Sequence, residues 1–160
     1  MKLFSEHKEF KLNRNSLDMN FFLSIANNYK YFISKIDTPY VPKDFPNNYA
    51  IGKDLDIIVS KELCDLYSRT YPYFEIIGEN ENGGFGIRFE KNKKLHFKLD
   101  VRYLVEHISE EHINESLNNR VLHNGYYITK NSFEKVFRKV AYKYSKRPKP
   151  WHKEWLDNNG

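Results

Sequence analysis

The sequence predicts an α+β fold: a mixed, mostly antiparallel sheet with helices before and after it. Three observations carry this. Helical-period stripes lie at both ends of the chain, over Leu17–Ala26 and Phe133–Tyr144. Between them lie short β-branched or aromatic runs, at Tyr31–Ile36, Leu55–Val59, Tyr73–Gly78, Phe85–Glu90 and Leu95–Leu104. The last three runs are joined by turn segments, Asn80–Gly84 and Lys91–Lys94, which suits hairpins rather than crossovers. The 160 residues fit one domain, 1–160, with a possible arm over 1–14 and a frayed tail over 157–160.

In chain order, Asn15 or Ser16 can cap a first helix, with Asp18 in its first turn, running to about Tyr29. Tyr31–Ile36 is a strand. Asp37–Ala50 holds Pro39, Pro42, Pro46 and the pair Asn47-Asn48, so it reads as a loop. The strand Leu55–Val59 follows, with Asp54 at its entrance. Ser60 caps a short amphipathic helix that stops before Pro72 and holds the single cysteine, Cys64, as a small buried group. Ser109–Leu117 is a helix, and Val121–Ile128 turns at Asn124-Gly125. Asn131 and Glu134 are spaced as a capping box for a helix with a stripe of Phe133, Val136, Phe137, Val140, Ala141 and Tyr144. Pro148 and Pro150 break that helix, and Trp151–Leu156 adds a last turn.

Composition narrows the function classes. Aromatic residues make up 16% of the chain, too many for a disordered segment. The net charge of +5 favours anionic partners such as nucleotides or nucleic acid. One cysteine excludes an intramolecular disulfide and a cysteine-based metal site. Met1–Phe10 is charged and lacks the apolar core of a signal peptide, and no apolar run approaches a membrane span. A cytoplasmic protein is expected.

The chemistry centres on Asp54-Leu55-Asp56. On a strand, residues two apart point to one face, so the two carboxylates project together while Leu55, Ile57 and Val59 enter the core. Like charges held side by side call for a proton or a cation, and a hard divalent ion prefers carboxylate oxygens. The longest strand alternates Leu95, Phe97, Leu99, Val101 and Tyr103 against His96, Lys98, Asp100 and Arg102, which sets a third acid on a strand face. Lys130–Lys153 holds nine basic residues against Glu134 alone, with Tyr142, Tyr144 and Trp151 among them, a combination suited to phosphates and bases. His107 and His112 are five apart and do not share the helix face a zinc pair needs. Asn82–Gly86 lacks the Lys-Ser/Thr of a phosphate-binding loop and reads as a hairpin turn.

Asp54-Leu55-Asp56-Ile57, with Asp100 in Phe97-Lys98-Leu99-Asp100-Val101, resembles the DNA polymerase β-like nucleotidyltransferase superfamily, and more narrowly its minimal bacterial members. Asn124-Gly125-Tyr126-Tyr127-Ile128 before a capped helix is similar to that group as well, and the resemblance spans about Asn15 to Leu156. It implies a nucleotidyltransferase-like fold and transfer of a nucleoside monophosphate from a triphosphate, ATP or another. Asp54, Asp56 and Asp100 would be the catalytic residues and the ligands of Mg²⁺ or Mn²⁺. The acceptor would be a sugar or phosphate metabolite or a macromolecule. The family's Gly-Ser pair, about ten residues upstream of the first acid, is replaced here by Tyr40-Val41-Pro42-Lys43-Asp44-Phe45. Lys43, Lys53, Lys98, Arg102, Arg138, Lys139 and Lys143 are then the candidate phosphate contacts. The alternative expectation is an inactive module of the same fold that binds nucleic acid or an acidic partner through the basic C-terminal segment.

Overall fold

The structure, a computed structural model, describes residues 19–49, 53–68, 75–80, 83–91 and 94–159. Five strands form one sheet in the order β1-β2-β5-β4-β3: β1 (Tyr31–Ser34), β2 (Lys53–Val59), β3 (Glu75–Asn80), β4 (Gly84–Lys91) and β5 (Lys94–Arg102). Among the described strands only the β2–β5 pair is parallel; β1–β2, β4–β5 and β3–β4 are antiparallel. The sheet is thus mixed and mostly antiparallel, as the strand runs and turns predict. A separate hairpin, β6 (Arg120–His123) with β7 (Tyr126–Thr129), turns at Asn124 and Gly125. Both turn residues have positive φ, 51° and 83°, the pairing that asparagine and glycine supply.

Helices α1 (Met19–Ala26) and α2 (Lys61–Ser68) cover one face. Met19, Leu23, Leu63 and Tyr67 meet Ile33, Ile57, Val59, Leu99 and Val101 in the main core. Ser60 caps α2 as expected: its Oγ accepts from the Leu63 N–H at 3.2 Å, and Cys64 is buried. The opposite face is only half covered. There Phe32 and Ile58, directly paired across β1 and β2, meet Ile113 and Leu117 of α3 (Glu110–Asn118) and Phe137 of α4 (Asn131–Tyr144). The rest of that face, beyond Ser34 and Asp56, carries polar residues. The Pro-rich segment runs along this open end, anchored by buried Phe45 edge-on to Tyr126 at 5.0 Å.

Several boundaries differ from expectation for local reasons. The expected cap at Asn15 or Ser16 and the Met1–Arg14 arm lie outside the described residues, and α1 ends at Ala26 rather than Tyr29. β1 stops at Ser34 because Lys35 turns to φ 58°. β5 stops at Arg102 because Tyr103 and Leu104 donate their N–H groups to Gly83 O instead, at 2.8 and 3.2 Å. Asn131 and Glu134 do not form a capping box. Lys130 is the cap residue of α4, without a side-chain bond, and Glu134 points inward. The last turn is a full helix, α5 (Pro150–Asn159), so Asp157–Asn159 are not frayed. Proline suits its first position, Lys153 and Asp157 pair one turn apart at 2.9 Å, and the Asn159 amide donates to Trp155 O.

Candidate acidic site at the open end of the sheet

Register brings the acids together. In the parallel β2–β5 pair Asp56 lies beside Asp100, and Asp54 beside Lys98. All four occupy the uncovered face. The carboxyl groups of Asp54 and Asp100 lie close enough to interact. Burial first, and then the Asp54 carboxylate, hold Asp100 above the usual carboxylate range, although Lys98 Nζ lies 3.0 Å from Asp100 Oδ1. Two side-chain-free positions flank the acid: Gly86 of β4 pairs with Asp100, and Gly84 with Arg102. A Cβ at Gly84 would lie 2.3 Å from Val101 O, so glycine is required there.

Asp56 is turned away from this pair, in an ion pair with Lys35. Burial works against the Lys35 ammonium, but the Asp56 charge and hydrogen bond outweigh it and raise its pKa. Lys35 is itself held from behind. Its backbone N–H donates to Glu134 Oε1 at 2.6 Å, and Ser34 Oγ donates to the same carboxylate. Glu134 accepts from Arg138 Nε at 3.2 Å, and Arg138 Nη1 donates to Asp37 O and to His152 Nδ1. This buried chain ties α4 and α5 to the end of β1.

A cleft of about 320 Å³ opens beside Asp54 and Asp56, walled by Lys35, Lys53, Tyr40, Trp151, Lys149 and His152. Tyr40 packs edge-on to Trp151, with Lys53 Nζ 5.8 Å from its ring centre. Burial and the charges of Asp56 and Asp54 raise the pKa of the Tyr40 hydroxyl.

The predicted phosphate contacts divide. Lys53 lines this cleft, Lys98 holds Asp100, and Arg102 lies two positions beyond Asp100 on the same face. Lys43 lines a different cavity, which shares only Trp151 with the cleft. Lys139 and Lys143 are exposed on α4, and no contact among the described residues ties them to the acids. Arg138 is a correction: it is 0% exposed and engaged by Glu134, so its guanidinium bonds within the core rather than reaching a ligand. Lys35, Tyr40 and His152 escaped the sequence reading. Their signal was position: Lys35 directly follows the residue that pairs with Asp56.

Hard carboxylate oxygens in a close pair suit Mg²⁺. Asp54 and Asp100 fit that demand, and Asp56, beside Asp100 in register, is paired with Lys35. Among the described residues, no group of three His, Cys, Asp or Glu side chains already converges on one point. The chain matches no family model, no curated protein and no solved structure.

Proposed function

We propose that the chain is a nucleotidyltransferase-fold enzyme that transfers a nucleoside monophosphate from a triphosphate to a hydroxyl acceptor. The observation that carries this reading is the contact between Asp54 and Asp100 across the parallel strands, with Asp56 beside Asp100 in register. Asp54 and Asp100 would hold a divalent ion, joined by Asp56 when Lys35 exchanges its partner from that carboxylate to phosphate. Bound there, the ion supplies Lewis-acid stabilisation of the triphosphate and acidifies an acceptor hydroxyl. The residues of the chain orient and neutralise. Lys53 and Lys35 offer cations at the cleft wall. Asp100, whose buried carboxyl holds its proton more tightly than usual, is suited to take a proton from the acceptor. With the Gly-Ser pair missing upstream, Lys35 at the cleft wall can offset phosphate charge in its stead.

The test is transfer of label from α-labelled nucleoside triphosphates in Mg²⁺ or Mn²⁺. Asp56→Asn and Asp100→Asn are expected to lower the rate by roughly a hundredfold or more, the scale of losing a group that stabilises developing charge. Unaltered turnover in either variant would remove that residue from the site.

The second reading is an inactive module of the same fold. It is favoured by the lysines that already engage two of the three acids, Lys35 on Asp56 and Lys98 on Asp100. The exposed basic run of Lys139, Lys143, Lys146, Arg147 and Lys149 would then bind nucleic acid or an acidic partner. Steeply salt-dependent RNA or DNA binding, with no metal-dependent triphosphate binding, would select this alternative.

A further inference from the structure

Next to the acid cleft lies a larger groove of about 660 Å³, which shares Lys35, Lys149 and His152 with it. Its floor and walls come from the end of β5, the segment that follows it, α4 and the start of α5. The groove is partly cationic. Arg102 and Lys149 line it, and neither pairs with a carboxylate among the described residues. The carboxylate of the lining, Glu106, lies 3.6 Å from His107 Nε2.

His152 is 7% exposed and belongs to both clefts. Its Nδ1 accepts from Arg138 Nη1 at 3.2 Å, so the neutral ring carries its proton on Nε2. Burial, then the Arg138 charge, keep the ring neutral by lowering its pKa to about 4. The Nε2–H meets no partner among the described residues. The residue that carries it lines both clefts.

The groove also holds a flat ring pair, with Lys143 Nζ 5.2 Å from the Tyr144 ring centre. His107, held at φ 68°, stacks on Tyr144 with centroids 3.7 Å apart and planes 11° from parallel. Val140 and Ala141 continue that wall. Tyr144 is 50% exposed.

We infer that this groove binds a nucleoside phosphate, with the phosphate on Arg102, Lys149 and His152 Nε2–H and the base on the His107–Tyr144 stack. Cations and a neutral donor match a phosphate ester, and a planar ring pair in the same groove matches a base. Its place as the acceptor, delivered alongside the acids, rests on the transferase reading; the binding site itself does not.

Isothermal titration of the full chain in EDTA tests it, with AMP, inorganic phosphate and a short 5′-phosphorylated oligoadenylate as probes. AMP should bind, and Arg102→Ala with Lys149→Ala should weaken it at least about tenfold, the effect of losing one charged hydrogen bond. His107→Ala should weaken AMP and leave inorganic phosphate unchanged. Binding of the oligoadenylate but not of AMP would identify the source as a nucleic-acid end. Absence of binding by both nucleotides, or affinity for them indifferent to these substitutions, would overturn the inference. Absence of nucleotidyl transfer with the AMP titration intact would instead remove the transferase reading alone. Circular dichroism melts confirm that the variants fold.

Discussion

Burial is the first cause that shifts the pKa of Asp100 up and that of His152 down, and each shift sets a pH dependence. Asp100 has its folded pKa raised, by burial and then by Asp54. Above the ordinary carboxylate range the folded state therefore carries a penalty, which is relieved as pH falls through the raised value. Asp100→Asn keeps a donor for Asp54 and removes one charge. We expect it to raise the thermal midpoint of the metal-free protein at neutral pH, by the equivalent of about 0.5–1 kcal/mol, while abolishing any stabilisation by Mg²⁺. A lower midpoint would show that Asp100 is not under like-charge stress. For His152 the folded pKa is depressed, to about 4 from 6.5. Its contribution is present above 6.5 and lost as pH falls toward 4, because the unfolded chain takes up the proton first. His152→Asn, whose side-chain oxygen can accept from Arg138, should flatten the fall of the melting midpoint over that window. An unchanged slope would place the acid sensitivity elsewhere.

The elements that bear the site are joined by charge as well as by packing. Glu134 and Arg138 are one helical turn apart on α4, both enclosed, with burial raising the Glu134 pKa before Arg138 and Lys35 pull it back. Such a pair is costly to break and cheap to replace. Arg138→Met alone should cost about 3–5 kcal/mol in urea denaturation, by stranding the Glu134 carboxylate. Glu134→Leu combined with Arg138→Met should recover most of that loss, yet release Lys35 from behind and so change any metal or phosphate affinity at Asp56. Additive losses in the double variant would show that the pair is not coupled. The sequence hid this arrangement because Glu134 has the spacing of a capping residue, and only the tertiary position of Ser34 and Lys35 decides that it turns inward. Arg138 misled for the same reason: a basic residue on a basic helix reads as exposed, and its 0% exposure follows from α5 folding over it. The length of α5 was equally hidden. Pro148 and Pro150 read as breakers, but Pro150 serves as the first residue of a new helix.

At the scale of the whole molecule, the α+β class and the mostly antiparallel sheet were legible, because alternation in β5 and the Asn/Gly turns are local signals. The placement of the acids on neighbouring strands was legible only as pattern. Asp54 and Asp56 declare one strand face, and Asp100 declares another, but the parallel pairing that sets Asp56 beside Asp100 is a property of the fold. The basic run Lys130–Lys153 was legible as charge and not as geometry, since Arg138 goes inside while Lys139 and Lys143 stay out. If the exposed part is an electrostatic footprint, binding of single-stranded nucleic acid should weaken between 50 and 200 mM salt by roughly an order of magnitude or more. Filter binding across that range measures it, and a flat response would leave the surface as solvated charge. Phe137 joins the two halves of the molecule by packing edge-on to Phe32 at 5.4 Å beneath α3. Phe137→Ala should cost about 3–5 kcal/mol, read by chemical denaturation, and a small loss would show that α3 and α4 close over the gap.

The parallel register of β2 and β5 has a kinetic consequence. Antiparallel neighbours β3, β4 and β5 can zip through short turns, whereas β2 must wait for α2 and that meander before it finds β5. Long-range parallel pairing is the slow kind of contact to close. Asp54 and Asp56 therefore meet Asp100 only in the step that completes the sheet, and the nascent chain is spared their mutual repulsion until the core is there to bear it. The appearance of the acid pair during refolding is accordingly a clock for the arrival of the native topology itself.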